Sequence, residues 1–397
     1  MKRIVFHYPI LNMGGAEMSS LRMIKALADR GWDVTLVLTT GGGTLEPRID
    51  PRVKVVRLRP FGFGQRFAAA RSLRARLAAL PDLAGYGVMR AVGALRTVPF
   101  MFRRYDAAAV LAISLPTRFV RRTVHAKVRA HWIRNDFDGH FPRRAKALKQ
   151  IKADQAEMDH YICVSGVARQ SLVKALPELR NKAVVVYNIL DAQTMQARAR
   201  EGGDPFPPRR GDGPRILSVC RLKEHSKGLI RMVSVCKRLV DAGYDFTWYI
   251  AGDGPDRERM QAAITEAGLD ARMILLGHVP NPYPAYAHAD LIAMLSNYEG
   301  LCGVINEAKV LGRPIISTEV SGVDEQLTDG VNGRVVANDE DAIFAGMKML
   351  LADSLSVKAL ENNDYPSAIL DDTAKIDHLE RLFLGQVDAA ETERQNT

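Results

Sequence analysis

The feature that most constrains the fold of this chain is a repeated alternation of strand-like and helix-like runs. Strand-like runs occur at residues 3–7, 34–39 and 53–58, and a helix-like run at residues 16–30 separates the first two. The pattern continues with strand-like runs at residues 109–114, 128–133, 161–164 and 183–187, and a second alternation extends from Arg215 to about Val336. Such alternation is typical of parallel sheets with helices on both faces. The sequence therefore predicts an α/β protein built from doubly wound parallel sheets.

The length of the chain predicts two domains. It has 397 residues, which exceeds what one hydrophobic core usually supports. The clearest linker is E-G-G-D-P-F-P-P-R-R-G-D-G-P at residues 201–214, which is rich in Gly and Pro and has no apolar periodicity. We therefore predict an N-terminal domain at residues 1–200, a linker at 201–214, a second domain at 215–370, and a C-terminal helix with a frayed tail at 371–397.

Targeting signals and cysteines indicate the compartment. The first ten residues, M-K-R-I-V-F-H-Y-P-I, are too interrupted by polar residues and proline to form the core of a signal peptide. The longest apolar run, residues 107–116, is shorter than the ~18 residues that span a bilayer. The cysteines stand singly, at Cys163, Cys220, Cys236 and Cys302. We expect a reduced, cytoplasmic protein without disulfides or structural zinc.

Positive charge is concentrated in one stretch. Residues 57–150 carry twenty Lys and Arg side chains against four acidic ones, whereas the whole chain has a net charge of +10. Leucines recur there at helical spacing, at Leu73, Leu77 and Leu80. Such helices can lie on an anionic membrane, so we expect peripheral contact with the inner face of the cytoplasmic membrane. The alternative is a basic, solvated face over an ordinary core. Nucleic acid is not an expected partner, because the stretch has no interleaved aromatic or helix-turn-helix pattern.

The segment N-Y-E-G-L-C-G-V-I-N-E-A-K-V-L-G-R-P at residues 297–314 combines two carboxylates with a glycine-rich turn before a helix. The unpaired amides at a helix start form an anion site, and we expect them to receive a diphosphate. They belong to Gly300, Leu301, Cys302 and Gly303. Glu299 precedes this turn, and Glu307 lies about four residues inside the helix, roughly 6 Å along its axis. Acidic residues are common near helix starts for other reasons, but this arrangement fits a nucleotide sugar, which has hydroxyls at both ends.

This segment resembles the Glu-x-seven-Glu signature of retaining GT-B glycosyltransferases, in particular glycosyltransferase family 4 (glycosyl transferases group 1). Other segments resemble the family in the expected order: R-I-L-S-V-C-R-L-K-E-H-S-K-G from Arg215, Y-I-A-G-D-G-P from Tyr249, L-L-G-H-V from Leu275, Y-A-H-A-D-L from Tyr286 and G-V-D-E-Q-L-T-D-G-V-N-G from Gly322. The resemblance implies a GT-B fold, with two Rossmann-like domains facing an interdomain cleft and a last helix that crosses back to the first domain.

The resemblance also implies roles for individual residues of the donor site. Arg221 and Lys227 would stabilise the departing diphosphate, and Glu299 would accept hydrogen bonds from the donor sugar. The sequence has one more residue between the two cations than the family usually has, so Lys223 is an alternative to Lys227. Glu307 would bind the ribose hydroxyls.

In the first half, Gly14 and Gly15 match family glycines that approach the donor phosphate, although two adjacent glycines can also form a simple strand-to-helix turn. H-W-I-R-N-D at residues 131–136 resembles a segment in which many relatives carry a histidine where this chain has Arg134. An arginine cannot act as a general base at neutral pH. Arg134, Asn135 and Asp136 remain the predicted acceptor-side residues.

Two further motifs have competing interpretations. The triplet D-F-D at residues 136–138 fits the D-x-D of metal-dependent transferases, but nothing around it resembles that fold. We therefore predict no metal. The turn G-D-G at residues 252–254 is followed by proline and lacks the third glycine of a dinucleotide site. No cofactor is expected, because the nucleotide sugar is a co-substrate.

Together these features predict a retaining, metal-independent hexosyltransferase. It would transfer a sugar from a nucleotide-diphosphate sugar to a saccharide acceptor in surface-polysaccharide or lipopolysaccharide biosynthesis. UDP is preferred over GDP only on family frequency, and the basic first half favours a lipid-linked acceptor. The alternative is a catalytically silent GT-B protein that docks on membranes or polyanions.

Overall fold

The computed structural model describes residues 1–12, 14–60, 72–113, 115–138, 144–207, 211–361 and 364–387. The chain forms two compact units. The first unit contains residues 1–189 and the C-terminal segment from Thr373, and the second contains Leu190–Asp372. The predicted frayed tail beyond residue 387 lies outside the described residues.

The first unit is built on a parallel sheet, as the alternating pattern predicts. Within the described residues it has seven strands in the order β3-β2-β1-β4-β5-β6-β7, and all neighbours are parallel. The strands are β1 (Arg3–Tyr8), β2 (Asp33–Thr40), β3 (Lys54–Arg59), β4 (Tyr105–Val110), β5 (Ala126–Ile133), β6 (His160–Cys163) and β7 (Ala183–Val185). The central strands are apolar and almost fully buried, as expected for a sheet that is covered on both faces.

Helices connect these strands. They are α1 (Gly15–Asp29), α2 (Leu73–Ala78), α3 (Leu80–Thr97), α4 (Pro99–Phe102), α5 (Arg118–Arg122), α6 (Arg144–Asp154) and α7 (Gly166–Ala175), and the C-terminal helix α17 (Asp372–Phe383) follows much later in the chain. Phe383 at the end of α17 packs edge-on against Phe6 and Trp32, at ring distances of 6.1 and 6.0 Å. This aromatic cluster explains why the end of the chain belongs to the first unit.

Strand β4 lies four residues earlier than the sequence predicts. The apolar run suggested residues 109–114, but the strand is Tyr105–Val110, and Ser114 lies outside the described residues. Tyr105 starts the strand because its buried ring stacks on Phe100, at 6.0 Å. After Val110 the chain leaves the sheet, and the amide of Leu115 closes a turn on the carbonyl of Ala112. The apolar run therefore continues into a buried turn.

The second unit repeats the architecture. Its described residues form a six-stranded parallel sheet in the order β10-β9-β8-β11-β12-β13. The strands are β8 (Arg215–Val219), β9 (Thr247–Ala251), β10 (Met273–Gly277), β11 (Leu291–Met294), β12 (Ile315–Thr318) and β13 (Arg334–Val336). The helices are α8 (Ala192–Ala199), α9 (Glu224–Lys227), α10 (Leu229–Asp241), α11 (Arg257–Glu266), α12 (Tyr283–His288), α13 (Gly303–Val310), α14 (Glu340–Ala352), α15 (Ser354–Ala359) and α16 (Ser367–Leu370).

The division between the units does not fall in the predicted linker. It falls between Ile189 and Leu190 and again after Asp372, so the described residues of the predicted linker, 201–207 and 211–214, belong to the second unit. Asp204 forms an ion pair with Arg215 at 2.6 Å, and the ring of Phe206 stacks on Tyr249 at 4.3 Å. Gly and Pro enrichment indicates the absence of regular structure, but it does not exclude packing against a domain.

Candidate functional site

The loop after β8 places Lys227 beside the Glu-x-seven-Glu segment. Strands β8 and β11 are neighbours, so the loops at their carboxyl ends meet. The amide of Asn297 donates to the carbonyl of Ser226 at 2.9 Å, which joins the two loops. Gly228 has φ of +59°, and a Cβ there would lie 3.0 Å from Asn297 Oδ1. Glycine at this position allows the close approach of the two loops.

Lys227 forms an ion pair with Glu299, and both side chains are less than one-fifth exposed. Ser296 Oγ donates to Glu299 Oε1 at 2.7 Å and lies 3.3 Å from Lys227 Nζ. Burial is the largest single influence and would lower the pKa of Lys227, but Glu299 together with Cys302 and Cys220 acts in the opposite direction, and the pKa is raised. Lys227 therefore stays positively charged, and it is Lys227, not Lys223, that contacts the signature carboxylate.

Arg221 is the second predicted diphosphate cation, and its surroundings differ. Its side chain is exposed, and it makes no hydrogen bond or ion pair with any residue that the structure describes. Arg221 lies in the loop between β8 and α9, and Lys227 is the last residue of α9. A cation without an internal partner can bind an anion without first breaking a protein contact.

The glycine-rich turn precedes α13, which begins at Gly303. Leu301 and Cys302 are buried, whereas Gly303 is exposed. Gly322 supports this turn from the following loop: it has φ of +75°, and a Cβ there would lie 2.7 Å from the carbonyl oxygen of Gly300. The amides of Gly300, Leu301 and Gly303 donate to no acceptor among the described residues, so these amides fit the predicted anion site.

The prediction of an unpaired amide is wrong at Cys302. Its amide donates to Gln326 Oε1 at 3.1 Å, and Gln326 Nε2 donates back to the carbonyl of Cys302 at 2.9 Å. Gln326 Nε2 also reaches Asn306 Oδ1 at 2.6 Å, and Asn306 accepts from the hydroxyl of Tyr365 at 2.5 Å. All of these side chains are buried. Cys302 is therefore the point at which a buried amide network holds the turn.

Two thiols lie near the Lys227–Glu299 pair. Burial, and after it the Glu299 carboxylate, raise the pKa of the Cys302 thiol to about 12. Burial likewise raises the pKa of Cys220 to about 11. Both thiols are therefore protonated at neutral pH and are poor nucleophiles.

Glu307 lies on α13 and is half-buried. Its Oε2 accepts a hydrogen bond of 2.9 Å from the hydroxyl of Tyr286 on α12. Tyr286 is fully buried, and its pKa is well above its ordinary value because of burial and then because of Glu307. The second carboxylate of the signature is thus held by a protonated phenol.

In the first unit, the two glycines before α1 have different surroundings. Gly14 has an extended backbone, and a Cβ there would lie 2.3 Å from the Glu17 carboxylate. A Cβ on Gly15 would meet nothing within 4 Å. The hydroxyl of Tyr8 is hydrogen-bonded to Glu17, which raises the pKa of Tyr8 in addition to the larger effect of burial. Glu17 therefore packs against Gly14, and Gly15 faces open space.

Arg134 is held entirely by groups of the first unit. Its guanidinium donates to the carbonyl of Leu111 at 3.3 Å, to Asn188 Oδ1 at 3.1 Å and to Ser20 Oγ at 2.8 Å. Ser19 also donates to Asn188 Oδ1, at 2.6 Å. Burial lowers the pKa of Arg134, while Tyr8 and Glu17 act in the opposite direction. The arginine thus ties α1 to the end of β5 and to the loop after β7.

The other predicted acceptor-side residues flank a buried phenylalanine. Asn135 and Asp136 are half-buried, and Asp136 Oδ1 accepts from the amide of Asp138 at 2.8 Å. Phe137 is fully buried, and the Asp138 side chain instead pairs with Lys174 at 2.9 Å. Within the part of the chain that the structure describes, no three His, Cys, Asp or Glu side chains are grouped to hold a metal ion.

Helices α2–α4 expose large apolar side chains in the basic half of the chain. The exposed residues, which we call the apolar face, are Leu77, Leu80, Leu83, Val88, Leu95, Val98, Met101 and Phe102. Helix α3 approaches the sheet through Gly93, where a Cβ would lie 2.7 Å from the carbonyl of Leu58. Arg74, Arg90 and Arg104 are also exposed here. No helix among the described residues is long and apolar enough to cross a membrane.

Sequence reasoning missed Tyr286 and Gln326 as contributors to the site. Tyr286 lies within a segment already matched to the family, but only its contact with Glu307 reveals its role. Asn306 gave a clearer signal, because it follows two apolar residues of α13, whereas Gln326 lies among polar neighbours and gave none. A polar side chain at a core position is informative because it must find a hydrogen-bond partner there.

Two family models match the chain. "Glycosyltransferase Family 4" matches residues 13–194, and "Glycosyl transferases group 1" matches residues 213–353. The crystal structure of Anabaena HepE in complex with UDP-glucose is similar over 100% of this chain and 98% of the other, with a TM-score of 0.67 at 17% identity. The fold of two parallel-sheet units and the two family matches define a GT-B glycosyltransferase. Within that class, the chain belongs to the family 4 type.

Curated relatives match parts of the chain. The 2-deoxystreptamine glucosyltransferase of Streptomyces kanamyceticus is 42% identical over 118 residues, which are 29% of this chain and 30% of the relative. The N-acetylgalactosamine-N,N'-diacetylbacillosaminyl-diphospho-undecaprenol 4-alpha-N-acetylgalactosaminyltransferase of Campylobacter jejuni is 29% identical over 212 residues, which are 52% of this chain and 54% of the relative. The matches therefore span 30% and 54% of the length of these two relatives.

Proposed function

We propose that this protein is a retaining, metal-independent hexosyltransferase that uses a UDP-sugar donor. The observation that carries the proposal is the cluster at the carboxyl ends of β8 and β11. There the charged Lys227 pairs with Glu299, and Arg221 has no partner among the described residues. Glu307 follows on the helix that begins at the open amides of the turn. These groups match a diphosphate with hydroxyl-bearing groups on both sides.

In this proposal, donor binding replaces Glu299 by a diphosphate as the partner of Lys227. A diphosphate that binds Lys227 competes with Glu299 for the same ammonium group. Once Lys227 turns toward phosphate, the Glu299 carboxylate can accept hydrogen bonds from sugar hydroxyls. Arg221 supplies the second positive charge. Together the two cations stabilise the negative charge that develops on the diphosphate as the glycosyl–phosphate bond breaks.

Retention of configuration in this proposal uses no enzymic nucleophile. The neutral thiols of Cys220 and Cys302 are unsuited to that role. The acceptor hydroxyl attacks the anomeric carbon on the face that the diphosphate leaves. The carbon–oxygen bond to phosphate breaks, a new carbon–oxygen bond forms to the acceptor, and the departing diphosphate takes the hydroxyl proton. The products are the glycosylated acceptor and UDP.

We propose a lipid-linked saccharide as the acceptor, in surface-polysaccharide or lipopolysaccharide assembly. The name of the Campylobacter jejuni relative includes such an acceptor, a diphospho-undecaprenol saccharide. The UDP-glucose bound to the Anabaena structure supports UDP as the nucleotide. The apolar face with its exposed arginines supports peripheral binding of the first unit to the anionic inner face of the cytoplasmic membrane.

Donor class is tested by a thermal-shift panel of UDP, GDP, ADP and their common sugar conjugates, with and without EDTA. We expect UDP compounds to stabilise the protein equally in both conditions, since a ligand at about 100 times its Kd adds ~2.7 kcal/mol. Stabilisation that disappears with EDTA would contradict metal independence. If no nucleotide shifts the melting temperature and no donor hydrolysis is detected, the silent docking protein becomes the better explanation.

Membrane binding is tested by cosedimentation with vesicles of neutral phosphatidylcholine alone and with added anionic phosphatidylglycerol. We expect binding to the anionic vesicles and its loss in the double variant Leu95→Ser and Phe102→Ser, which are 70% and 80% exposed. Leu355→Ser is the matched control, because Leu355 is 73% exposed but lies in the second unit. Equal binding by both variants would exclude the apolar face as the membrane contact.

A further inference from the structure

The side chain of Gln326 holds both main-chain groups of Cys302. Its Oε1 accepts from the amide of Cys302 at 3.1 Å, and its Nε2 donates to the carbonyl of the same residue at 2.9 Å. Gln326 is 1% exposed and Cys302 is 3% exposed, so both bonds are shielded from water. A carboxamide that pairs with the N–H and the C=O of one residue fixes the two peptide planes that join at that residue.

The carboxamide of Gln326 is itself held in place. The main-chain amide of Gln326 donates to the carbonyl of Val323 at 3.0 Å. Its Nε2 also donates to Asn306 Oδ1 at 2.6 Å and lies 3.3 Å from the hydroxyl oxygen of Tyr365. Asn306 and Tyr365 are buried. Because glutamine has three side-chain torsions, these contacts are needed to keep the carboxamide in one orientation.

The bond to the Cys302 carbonyl determines where the next amide points. The peptide between Cys302 and Gly303 is trans, and in a trans peptide the C=O and the following N–H point in opposite directions. The Cys302 carbonyl faces Gln326, and it also accepts from the amide of Asn306 at 3.4 Å. The N–H of Gly303 therefore points away from the buried Gln326. Gly303 is exposed, and its amide donates to no acceptor within the described part of the chain.

We propose that Gln326 is a positioning residue that orients the Gly303 amide toward the diphosphate of the donor. This inference rests on the proposed function, in which the turn before α13 and the cations Lys227 and Arg221 receive that diphosphate. An N–H that is already oriented donates to an anion without reorganisation of the turn, and such preorganised donors stabilise oxyanions strongly. Gln326 acts through Cys302 and does not touch the nucleotide.

The role predicts a binding defect that is confined to the phosphate groups. Uridine has the base and ribose of UDP but lacks both phosphates, so the ratio of the two affinities isolates the contribution of the phosphates. If Gln326 only supported the fold, its loss would weaken UDP and uridine alike. If it orients the Gly303 amide, its loss weakens UDP and leaves the affinity for uridine unchanged. The preference for UDP over uridine is therefore the quantity to measure.

The first pair of variants changes a buried carboxamide. Gln326→Met removes the carboxamide of Gln326 and keeps an unbranched, flexible side chain of similar length. Asn332→Leu is the matched control. Asn332 is also buried, but its side chain bonds the main chain of Thr328 and Asp364 instead of the turn. Both variants lose buried hydrogen bonds, and only Gln326→Met releases Cys302.

The second pair of variants changes the Gly303 amide directly. Gly303→Pro removes the amide hydrogen at the first residue of α13, a helix position where proline is well tolerated. The backbone of Cys302, with φ of −77° and ψ of 114°, is extended, as a residue before proline requires. Gly303→Ala is measured beside it, because alanine keeps the amide hydrogen and its Cβ would meet nothing within 4 Å.

The experiment is isothermal titration calorimetry of the full chain with UDP, alone and in competition with excess uridine. We expect the wild type to prefer UDP by about a hundredfold or more, because each hydrogen bond to a charged group contributes about tenfold or more. Gln326→Met should reduce this preference by about three- to tenfold, whereas Asn332→Leu should keep the wild-type value. Gly303→Pro should reduce it by about tenfold relative to Gly303→Ala.

The double variant Gln326→Met and Gly303→Pro tests whether the two residues act through the same bond. Its preference for UDP should equal that of Gly303→Pro alone, because the amide that Gln326 orients is already absent. A further loss in the double variant would show that Gln326 affects phosphate binding by another route, and it would overturn the positioning role.

The outcomes separate the inference from the function on which it rests. A wild type that binds UDP no more tightly than uridine would overturn the diphosphate site, and the positioning role with it. A wild-type preference in Gly303→Pro or in Gln326→Met would overturn the positioning role alone, as would an equal loss in Asn332→Leu. Should Gln326→Met fold poorly, Gln326→Asn supplies a second variant, whose carboxamide is one methylene too short to hold both groups of Cys302, and a wild-type preference in it would have the same meaning.

Discussion

The two units use the same kind of scaffold but treat their polar groups differently. Each places a glycine turn before a helix near the carboxyl ends of parallel strands. In the first unit, the carboxylate of Glu17 packs against Gly14, so a negatively charged group of the protein itself lies at the turn. In the second unit the turn at Gly300 lies in a loop region with Lys227 and Arg221. A glycine turn before a helix is therefore insufficient evidence of a phosphate site, and the surrounding charge decides its use.

Two arginines show the same difference. Arg134 in the first unit donates to three acceptors of its own unit. The guanidinium of Arg221 in the second unit has no hydrogen-bond or ion-pair partner among the residues that the structure describes. A guanidinium with a full set of internal acceptors organises structure, whereas one without them is available to a ligand. Arg134 is thus used to organise the first unit, whereas the Arg221 guanidinium is available to a ligand.

The largest expected difference between the two units is in their response to acid, which should destabilise the first unit. Burial lowers the pKa of His7 and of His131 to about 4 from 6.5 in the unfolded chain. Between pH 4 and pH 6.5 the unfolded chain binds more protons than the folded chain. The stability that the two buried neutral histidines contribute is therefore complete above pH 6.5 and is lost as the pH falls toward 4. At pH 5 the expected loss is about 2 kcal/mol for each histidine.

Tryptophan fluorescence can assign this loss to a unit. Trp32 and Trp132 lie in the first unit and Trp248 in the second. Urea titrations at pH 7 and pH 5 in Trp248→Phe therefore follow the first unit, and those in the double variant Trp32→Phe and Trp132→Phe follow the second. The histidines of the second unit, His225, His278 and His288, are exposed. An equal acid shift in both units would show that buried histidines are not the cause.

Catalysis should depend most on the cations of the second unit. Arg221→Ala and Lys227→Ala should each reduce kcat by about 10²-fold or more, the scale of losing one charge-stabilising group. Lys223→Ala is the matched control, because this exposed lysine lies in the same loop and does not pair with Glu299. Steady-state kinetics of sugar transfer measure all three. Near-normal turnover in Arg221→Ala or Lys227→Ala would remove that residue from the mechanism.

Arg134 should affect stability and not donor binding. Arg134→Ala removes the hydrogen bonds to Leu111 O, Asn188 Oδ1 and Ser20 Oγ, of which Asn188 Oδ1 keeps its bond from Ser19, and we expect a loss of about 1–2 kcal/mol from the unfolding free energy. UDP affinity should be unchanged, because the donor site lies in the second unit. Urea unfolding followed in Trp248→Phe and calorimetry with UDP measure the two quantities. If stability were unchanged and the KM for the acceptor rose, the result would instead support the acceptor-side role of Arg134.

The alternating pattern was enough to predict both sheets, because burial on two faces imposes long apolar strands separated by helices. The boundaries of strands and domains were predicted less well where buried side chains lie outside regular secondary structure. Strand β4 begins at Tyr105 because of a ring contact with Phe100, and the apolar run continues into a turn. Likewise, the Gly- and Pro-rich segment near Phe206 packs against the second unit. Neither contact is encoded in local periodicity.

The sequence singled out the candidate residues Glu299, Lys227 and Glu307, but it did not single out Tyr286, which contacts Glu307. Glu299 and Lys227 stand in motifs with recognisable spacing, and the structure brings them together. The contact of Tyr286 with Glu307 joins residues 21 positions apart, on two different helices. Pairings of this kind depend on how elements pack, so spacing alone does not show them. Arg134 is similar, since its partners lie on three separate segments of the first unit.

The smallest expected effect on stability is that of Gly15→Ala. This variant tests whether the glycine turn of the first unit, like that of the second, takes part in the reaction. A Cβ at Gly15 meets nothing within 4 Å, and the residue starts α1. Gly15→Ala should therefore leave stability unchanged or raise it by a few tenths of a kcal/mol, since alanine favours the helix over glycine. Gly14→Ala is the contrasting variant, because its Cβ would collide with the Glu17 carboxylate. If Gly15→Ala is stable but has lower kcat/KM, a ligand approaches the backbone there and the first-unit turn takes part in the reaction. If it is stable and fully active, the glycine pair is a strand-to-helix turn, and the charged turn of the second unit binds the donor without it.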